Sequence, residues 1–311
     1  MNSQEGTYHR NLCRYLVFAA PIFGILLANS YLCRRKMKKL LYLLLIITLC
    51  AACQKRPKVV FTDEVRLPMT PIKDQGHTDF CWVYAMLATI ETEHIARGDS
   101  VHLSPAYIER VVRRRHLRGM GSTLLNIIAK HGIVSYDAYP DTSYHKLPRP
   151  KWVFMLGARY TPLEFAHSVC APDEYIAVTS NEKYPYYKEV VLDLPDNWEH
   201  NRFLNIPRDS LLAHVERAVR NRHAVCWEGD TDEYGFSFEG GIADSHYCTS
   251  PTDNHCMAII GIARDPHNRL FFTMKNSWGI ANPYHGLMYM SAEYLRDKTI
   301  AVYMTREAYG L

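Results

Sequence analysis

The apolar residues of this chain change their spacing partway along it, and that change restricts the fold more than any other feature. From Cys81 to Arg97, apolar Val83, Met86, Leu87, Ala88 and Ile90 recur at three and four positions, against polar Glu91, Glu93 and His94. That spacing predicts a helix, which Gly98-Asp99 stops. Ser104-Pro105 starts a second helix, an N-cap followed by proline at the first helical position, running to about Leu117. A third runs from Ser122, as its N-cap, to Lys130, with Gly132 just beyond its end. After residue 187 the pattern becomes that of strands. Val190-Val191-Leu192, Ala224–Trp227, Met257–Ala263, Leu270–Met274, Leu287–Met290 and Ile300–Met304 are short apolar runs, and Asp265-Pro266-His267-Asn268 is a hairpin turn signal. One helix, Asp209–Val219, interrupts them. Residues 135–187, rich in proline and tyrosine, read as loop. Helices first and strands second predict an α+β protein of two lobes.

Charge separates the first 56 residues from the rest. They hold nine lysines and arginines against Glu5, a local charge of +8, which leaves the remainder at −4. The positive charge therefore belongs to a targeting end, and the globular part gives no electrostatic case for nucleic acid. Tyr15 to Cys33 is an uncharged stretch of 19 residues, long enough to span a bilayer, followed by Arg34-Arg35-Lys36. A second start follows: Met37-Lys38-Lys39, an apolar run from Leu40 to Leu49, then Cys50-Ala51-Ala52-Cys53. This tripartite pattern resembles a bacterial lipoprotein signal, with Cys53 as the lipid-bearing residue and Met37 as the true start. Residues 1–36 are then an upstream extension, or alternatively a membrane segment; 37–53 are the signal and 54–70 a polar linker. Residues 71–187 form the helical lobe and 188–311 the strand-rich lobe. The expected location is outside the cytoplasm, on a membrane.

Nine cysteines are present, and five of them (Cys81, Cys170, Cys226, Cys248, Cys256) follow the leader. The odd number leaves at least one thiol free of intramolecular disulfides. A thiol is a good nucleophile only as thiolate, which a helix N-terminus and a neighbouring imidazole both favour. Cys81 opens the first helix. An imidazole must come from elsewhere in the fold, a third group must orient it, and a donor must meet the oxyanion. Asn254-His255-Cys256-Met257 leads into one strand, and another strand leads out into Lys275-Asn276-Ser277-Trp278-Gly279. Two adjacent strands could set the His255 ring beside the Asn276 amide.

Gln75…Cys81-Trp82, His255 and Asn276-Ser277-Trp278-Gly279 resemble the active-site signatures of papain-like cysteine peptidases. The resemblance spans about residues 65–306. It is closest to the bleomycin hydrolase or aminopeptidase C branch, through Leu194–Trp198, Asn205–Pro207, Cys226–Asp230, Gly235–Ser237 and Tyr294–Val302. It implies a two-lobed fold with a helical N-terminal lobe, an antiparallel barrel-like C-terminal lobe, and the active site between them. It also implies Cys81 as nucleophile, His255 as base and then acid, Asn276 as orienter, and Gln75 as oxyanion donor. Trp278 and Trp82 take supporting places, and Gly121-Ser122 matches the edge that binds substrate backbone. The substrate is a peptide or protein, with no cofactor or metal.

The chain departs from that pattern in places. Asp79-Phe80 stands where small residues are usual, which predicts crowding or extra charge beside the nucleophile. Met120 stands where glycine is common. Cys81 and His255 lie 174 positions apart, a long interval that fits the named branch. The chain ends at Leu311, soon after the last expected strand, so the branch's C-terminal arm is expected to be short, and strict aminopeptidase action does not follow. Two rival readings use the same residues: a peptide-binding lipoprotein without turnover, and a transferase passing the acyl group to an amine. A metal site at His246, Cys248, His255 and Cys256 lacks a usual zinc spacing. Arg110, Arg113, Arg114, Arg115 and Arg118 read as a solvated face, or as an anion patch.

Overall fold

The computed structural model describes Tyr42 and residues 58–112, 118–141, 147–155, 157–244 and 251–311. The rest of the leader, with Cys53, lies outside these residues, as do Arg113, Arg114, Arg115, His246 and Cys248. Among the described residues, no helix is long and apolar enough to cross a membrane.

Helix α1 (Cys81–Ala96) ends at Arg97, with Gly98 at φ 99° just after it. The stop at Gly98-Asp99 is where the sequence predicts it. The predicted polar face is not. Glu91 and Glu93 are buried with the apolar residues, so α1 is covered on all sides. Each of its two carboxylates has partners that permit this. Glu91 pairs with Lys73 at 2.8 Å and accepts from the Leu103 amide at 2.7 Å. Glu93 accepts from the Ala224 amide at 2.5 Å and contacts His223 at 3.1 Å. A buried carboxylate is tolerated when it is paired and hydrogen-bonded.

Helix α2 (Pro105–Val112) is capped by Ser104, whose Oγ accepts from the Tyr107 amide. Helix α3 (Gly121–His131) is capped by Met120 rather than Ser122, which lies inside the first turn. Its C-cap is Gly132 at φ 76°, where a Cβ would sit 2.3 Å from the Pro162 carbonyl carbon. Residues 135–187 hold more regular structure than their composition suggests. A hairpin of β2 (Val153–Met155) and β3 (Ala158–Tyr160) precedes α4 (Pro162–Val169), which Thr161 and Glu164 start with a capping box. Strand β4 (Tyr175–Thr179) follows.

One 11-stranded sheet carries the rest. In space its path runs through β5 (Lys188–Val191), β6 (Arg202–Asn205), β4, β13 (Thr299–Thr305), β7 (Val225–Gly229), β10 (His255–Arg264), β11 (Leu270–Lys275), β12 (Leu287–Ser291), β9 (Ile242–Ala243) and β8 (Phe236–Ser237). Strand β1 (Thr62–Arg66) joins from the side, pairing with the second half of β10. So residues 62–66 are sheet, not linker: Leu67 buries beside Ala258 and Ile260, and that burial fixes the segment. Two neighbouring pairs, β4–β6 and β12–β9, are parallel, where the sequence predicts an antiparallel lobe. Both parallel partners are added from outside the hairpin-linked centre. Helices α5 (Arg208–Arg220), α6 (Ala292–Lys298) and α7 (Arg306–Tyr309) complete the chain.

Two large apolar cores result. One gathers α1, α2, α3 and α4 against one face of the sheet, including Cys226, Cys256, Ala301 and Tyr303. The other lies between α5 and the opposite face, around Trp227, Met257 and Val302. Successive residues of β7, β10 and β13 alternate between them, as a strand buried on both faces requires. The fold is mixed α+β, with seven helices and one large sheet among the described residues.

Candidate active site

Cys81 is the first residue of α1. Its N-cap, Phe80, makes no side-chain cap, and the first turn holds no acidic residue. The positive end of the helix dipole is therefore uncompensated at the thiol. Phe80 turns into the helical core, with its ring 6.1 Å from that of Trp82, and Asp79 is exposed. The predicted crowding does not occur, because Phe80 is spent on packing.

His255 is the first residue of β10 and Asn276 follows the last residue of β11. These strands are paired, so their ends bring the two side chains together. His255 Nε2 lies 2.8 Å from Asn276 Oδ1. That oxygen accepts from an N–H, so the proton sits on Nε2 and the Nδ1 position is left for Cys81. The same Oδ1 accepts from the Ser277 amide at 2.7 Å, which fixes the side chain further. Trp278 lies over the imidazole, with centroids 4.3 Å apart, and is itself flanked by Phe238 and Phe236. His255 and Asn276 are both almost fully buried.

Gln75 arrives by a different route. Residues 73–75 run beside 277–279: Asp74 bridges Trp278, the Gln75 amide donates to the Ser277 carbonyl at 2.8 Å, and the Gly279 amide donates to the Lys73 carbonyl at 3.3 Å. Ser277 Oγ donates to Gln75 Oε1 at 2.6 Å, and Gln75 Nε2 donates to the Thr78 carbonyl at 2.6 Å. The side-chain amide is held at both ends, with one N–H of Nε2 remaining for a further acceptor.

The Cys81 thiol is held well below the usual range. The hydrogen bond from the Cys256 side chain lowers it most; burial opposes, and the hydrogen bond and charge of His255 add to the lowering. Cys256 itself is pushed up by burial and by the neighbouring Cys81 sulfur. It directly follows His255 in the sequence. Cys81, Cys170, Cys226 and Cys256 are all free thiols.

Gly121 and Ser122 lie at the start of α3, where the sheet meets it. The Gly121 amide donates to Glu228 Oε2 at 3.4 Å, and a Cβ on Gly121 would meet the Tyr303 ring at 2.7 Å. Tyr303 donates its hydroxyl to the same Glu228 oxygen at 2.5 Å. Burial pushes the Glu228 carboxyl well above the carboxylate range, with Asp253 adding to the rise. Asp253 is likewise pushed up to about 7 by burial and then by Asp196 and Cys81. Arg118 donates to Asp196 at 2.9 Å and to the Asp253 carbonyl at 2.5 Å. Of the five arginines read as a solvated face or anion patch, Arg118 belongs to this cluster, and Arg110 closes α2. Asp196 and Glu228 fall in stretches that carry the family resemblance, but neither they nor Asp253 stand among the candidate site residues of the sequence. A glutamate in the buried strand VCWEG is the signal that could have pointed to this acidic cluster. Among the described residues, no group of three or more His, Cys, Asp or Glu is disposed to hold a metal ion.

The model of the papain family of cysteine proteases matches residues 60–306, and the chain belongs to that family. PepW from Lactobacillus rhamnosis superposes with a TM-score of 0.65 at 14% identity, over 79% of this chain and 82% of that one. Bromelain from Ananas comosus, solved with the inhibitor E64, gives 0.47 at 18% identity over 76% and 94%. Procathepsin L 3 from the larval midgut of Tenebrio molitor gives 0.49 at 19% identity over 81% and 71%. At such identities the likeness concerns the fold.

Proposed function

We propose that the chain is a cysteine peptidase that hydrolyses peptide bonds through a thioester on Cys81. The observation that carries this is the pairing of an uncapped helix N-terminus at Cys81 with an imidazole held by Asn276 at 2.8 Å. In this reading the Cys81 thiolate attacks the peptide carbonyl. The oxyanion is met by the Cys81 backbone N–H and the remaining N–H of Gln75. His255, having taken the Cys81 proton at Nδ1, gives it to the departing amine, then takes one from the water that hydrolyses the thioester. Asn276 keeps the ring oriented, Trp278 shields that bond from water, and Trp82 packs behind the nucleophile. The start of α3, with Gly121 and Ser122, borders the substrate. No cofactor takes part.

The resemblance to the bleomycin hydrolase branch extends the proposal to aminopeptidase-like action on peptides. The signal ending at Cys53 extends it to an exported, lipid-anchored protein facing the periplasm or cell surface of a bacterium. Treatment with an epoxide electrophile and mapping of the label is the direct test. Cys81 should be labelled faster than the other thiols, and Cys81→Ala should lose peptide cleavage. A Cys81→Ala protein with full activity would overturn the assignment. Mass spectrometry of the mature chain should find lipid on Cys53; an intact residue 1–52 segment would remove the anchor.

A further inference from the structure

The chain beyond residue 56 is acidic overall, yet residues 147–163 hold Arg149, Lys151 and Arg159 and no acidic residue. The same stretch exposes two large apolar side chains, Trp152 and Phe154, the latter with 76% of its surface in solvent. Val153, between them, is buried in the helical core and pins the hairpin there, so its two neighbours are left facing outward. Trp152 is the exposed member of the five tryptophans. Arg159, which faces Phe154 across the hairpin, sets its guanidinium over the Trp152 ring, 4.2 Å from the centroid. The segment leading in is tied down, since the Tyr139 hydroxyl donates to the Leu147 carbonyl at 2.9 Å.

Beside the hairpin lies an open groove of about 450 Å³, lined by Tyr107, His131, Arg149, Lys151, Thr161 and Leu163. Its cations have no carboxylate to balance them. Glu164 follows in sequence, but the cap of α4 occupies it: its carboxylate accepts from the Thr161 amide at 2.7 Å and the Thr161 hydroxyl at 2.9 Å. Burial, then Lys130 and Arg149, hold the His131 imidazole below its ordinary value, as uncompensated positive charge does. We propose that the β2–β3 hairpin and this groove dock on an anionic lipid bilayer, with Trp152 and Phe154 entering the interface and Arg149, Lys151 and Arg159 meeting headgroup phosphates.

Exposed aromatic rings among unpaired cations are the composition of a segment that lies in a membrane interface. The indole sits at headgroup level, with an apolar body and a polar edge. An acidic protein surface would satisfy the cations but offer Phe154 no apolar layer, whereas a bilayer offers both. Each Lys or Arg near an anionic surface adds roughly five-fold to partitioning. None of these residues belongs to the machinery around Cys81, so the docking face does not depend on how that site is read.

The test uses the full chain with vesicles of brominated phosphatidylcholine, with or without phosphatidylglycerol, and reads tryptophan emission. Trp152 should be quenched on phosphatidylglycerol vesicles and little changed on neutral ones, and Trp152→Phe should remove the quenched component. Arg149→Glu with Lys151→Glu should return quenching to the neutral-vesicle level, in line with a loss of at least about twenty-five-fold for two cations. Arg149→Gln with Lys151→Gln serves where the glutamate pair fails to fold. These variants keep the leader, so they separate the hairpin's part from any attachment by the N-terminal segment. Their peptide cleavage should match that of the unaltered protein. Absence of quenching, equal quenching on the two kinds of vesicle, or quenching that survives the charge substitutions or Trp152→Phe overturns the proposal. Self-association that Phe154→Ser abolishes, seen by sedimentation while lipid leaves Trp152 unquenched, also overturns it and gives the face to a second copy.

Discussion

At the scale of single residues, the site depends on which oxygen accepts from which donor. Asn276 and Gln75 are both amides, and each is immobilised before any substrate arrives. Asn276 Oδ1 takes the His255 ring and the Ser277 amide; Gln75 Oε1 takes the Ser277 hydroxyl. Ser277 therefore links the two. Its hydroxyl decides whether the free N–H of Gln75 points to a fixed place, though it touches neither thiol nor imidazole in the described contacts. Losing an oxyanion donor outright costs about 10²–10³ in kcat. Ser277→Ala leaves the donor present but loosely aimed, so a smaller loss, roughly ten-fold in kcat, is expected with KM little changed. Ser277→Thr, which retains the hydroxyl, should recover most of it. Steady-state kinetics on one peptide substrate checks this; a change confined to KM would show that Ser277 serves binding instead. The dipeptide Asn276-Ser277 is visible in the sequence, but its hydrogen bond to a residue 202 positions away is not.

At the scale of elements, the helices and central strands were legible because local pattern and final environment agree. Strands β10 and β11 are apolar runs bounded by turn residues, and Asn268 takes the positive φ the hairpin needs, at 64°. Strand β1 was not legible. Its five residues TDEVR look like linker, and only pairing with β10 makes them a strand. Strand β4 lies in a stretch whose tyrosines and prolines mask it, and its partners β13 and β6 are distant in sequence. Helix α1 misled differently, since its glutamates match a polar face but are buried by partners on other segments. The end of α3 was legible through Gly132, and the structure adds why no other residue fits. The positive φ and the 2.3 Å approach of Pro162 act together, and the same turn lets the Ile133 amide donate to the Pro162 carbonyl at 3.0 Å. Gly132→Ala should destabilise the fold by more than about 1 kcal/mol, the scale of replacing glycine at φ > 0 where the new side chain is strained. Urea unfolding checks it, and a midpoint equal to that of the unaltered protein would contradict the close approach.

At the scale of the whole molecule, one buried ionic cluster joins three segments of the candidate site: the stretch before Cys81, helix α1, and the end of β11. Lys73 lies two residues before Gln75. Glu91 is on α1, which begins at Cys81. Lys275 directly precedes Asn276. Lys73 contacts Glu91 at 2.8 Å, Lys275 lies 3.8 Å from it, and Thr70 bridges Lys275 and the same carboxylate. Burial alone would raise the Glu91 carboxyl, but Lys73 and Lys275 more than offset it and hold it below its ordinary value. Burial pushes Lys275 down to about 8, even though Glu91 opposes the shift. The cluster is thus a charge balance in which Lys275 is the member closest to losing its proton. Such a cluster is weak evidence for net stability, because desolvation consumes much of the attraction. Removing one member is another matter. Glu91→Ala would leave two lysines facing each other without a carboxylate, one of them almost fully buried. A loss of about 3–5 kcal/mol is expected, the cost of stranding a buried charge. Lys73→Met should cost less, since Lys73 retains some contact with solvent and Lys275 still neutralises Glu91. Because the three segments carry Gln75, Cys81 and Asn276, the Glu91→Ala protein that remains folded should also show slower alkylation of Cys81. Denaturant unfolding and Cys81 alkylation on the same samples decide between two outcomes. Stability lost with alkylation unchanged would make the cluster a feature of the core alone. Both lost together would make it the element that holds the nucleophile, the amide and the histidine's partner in one register.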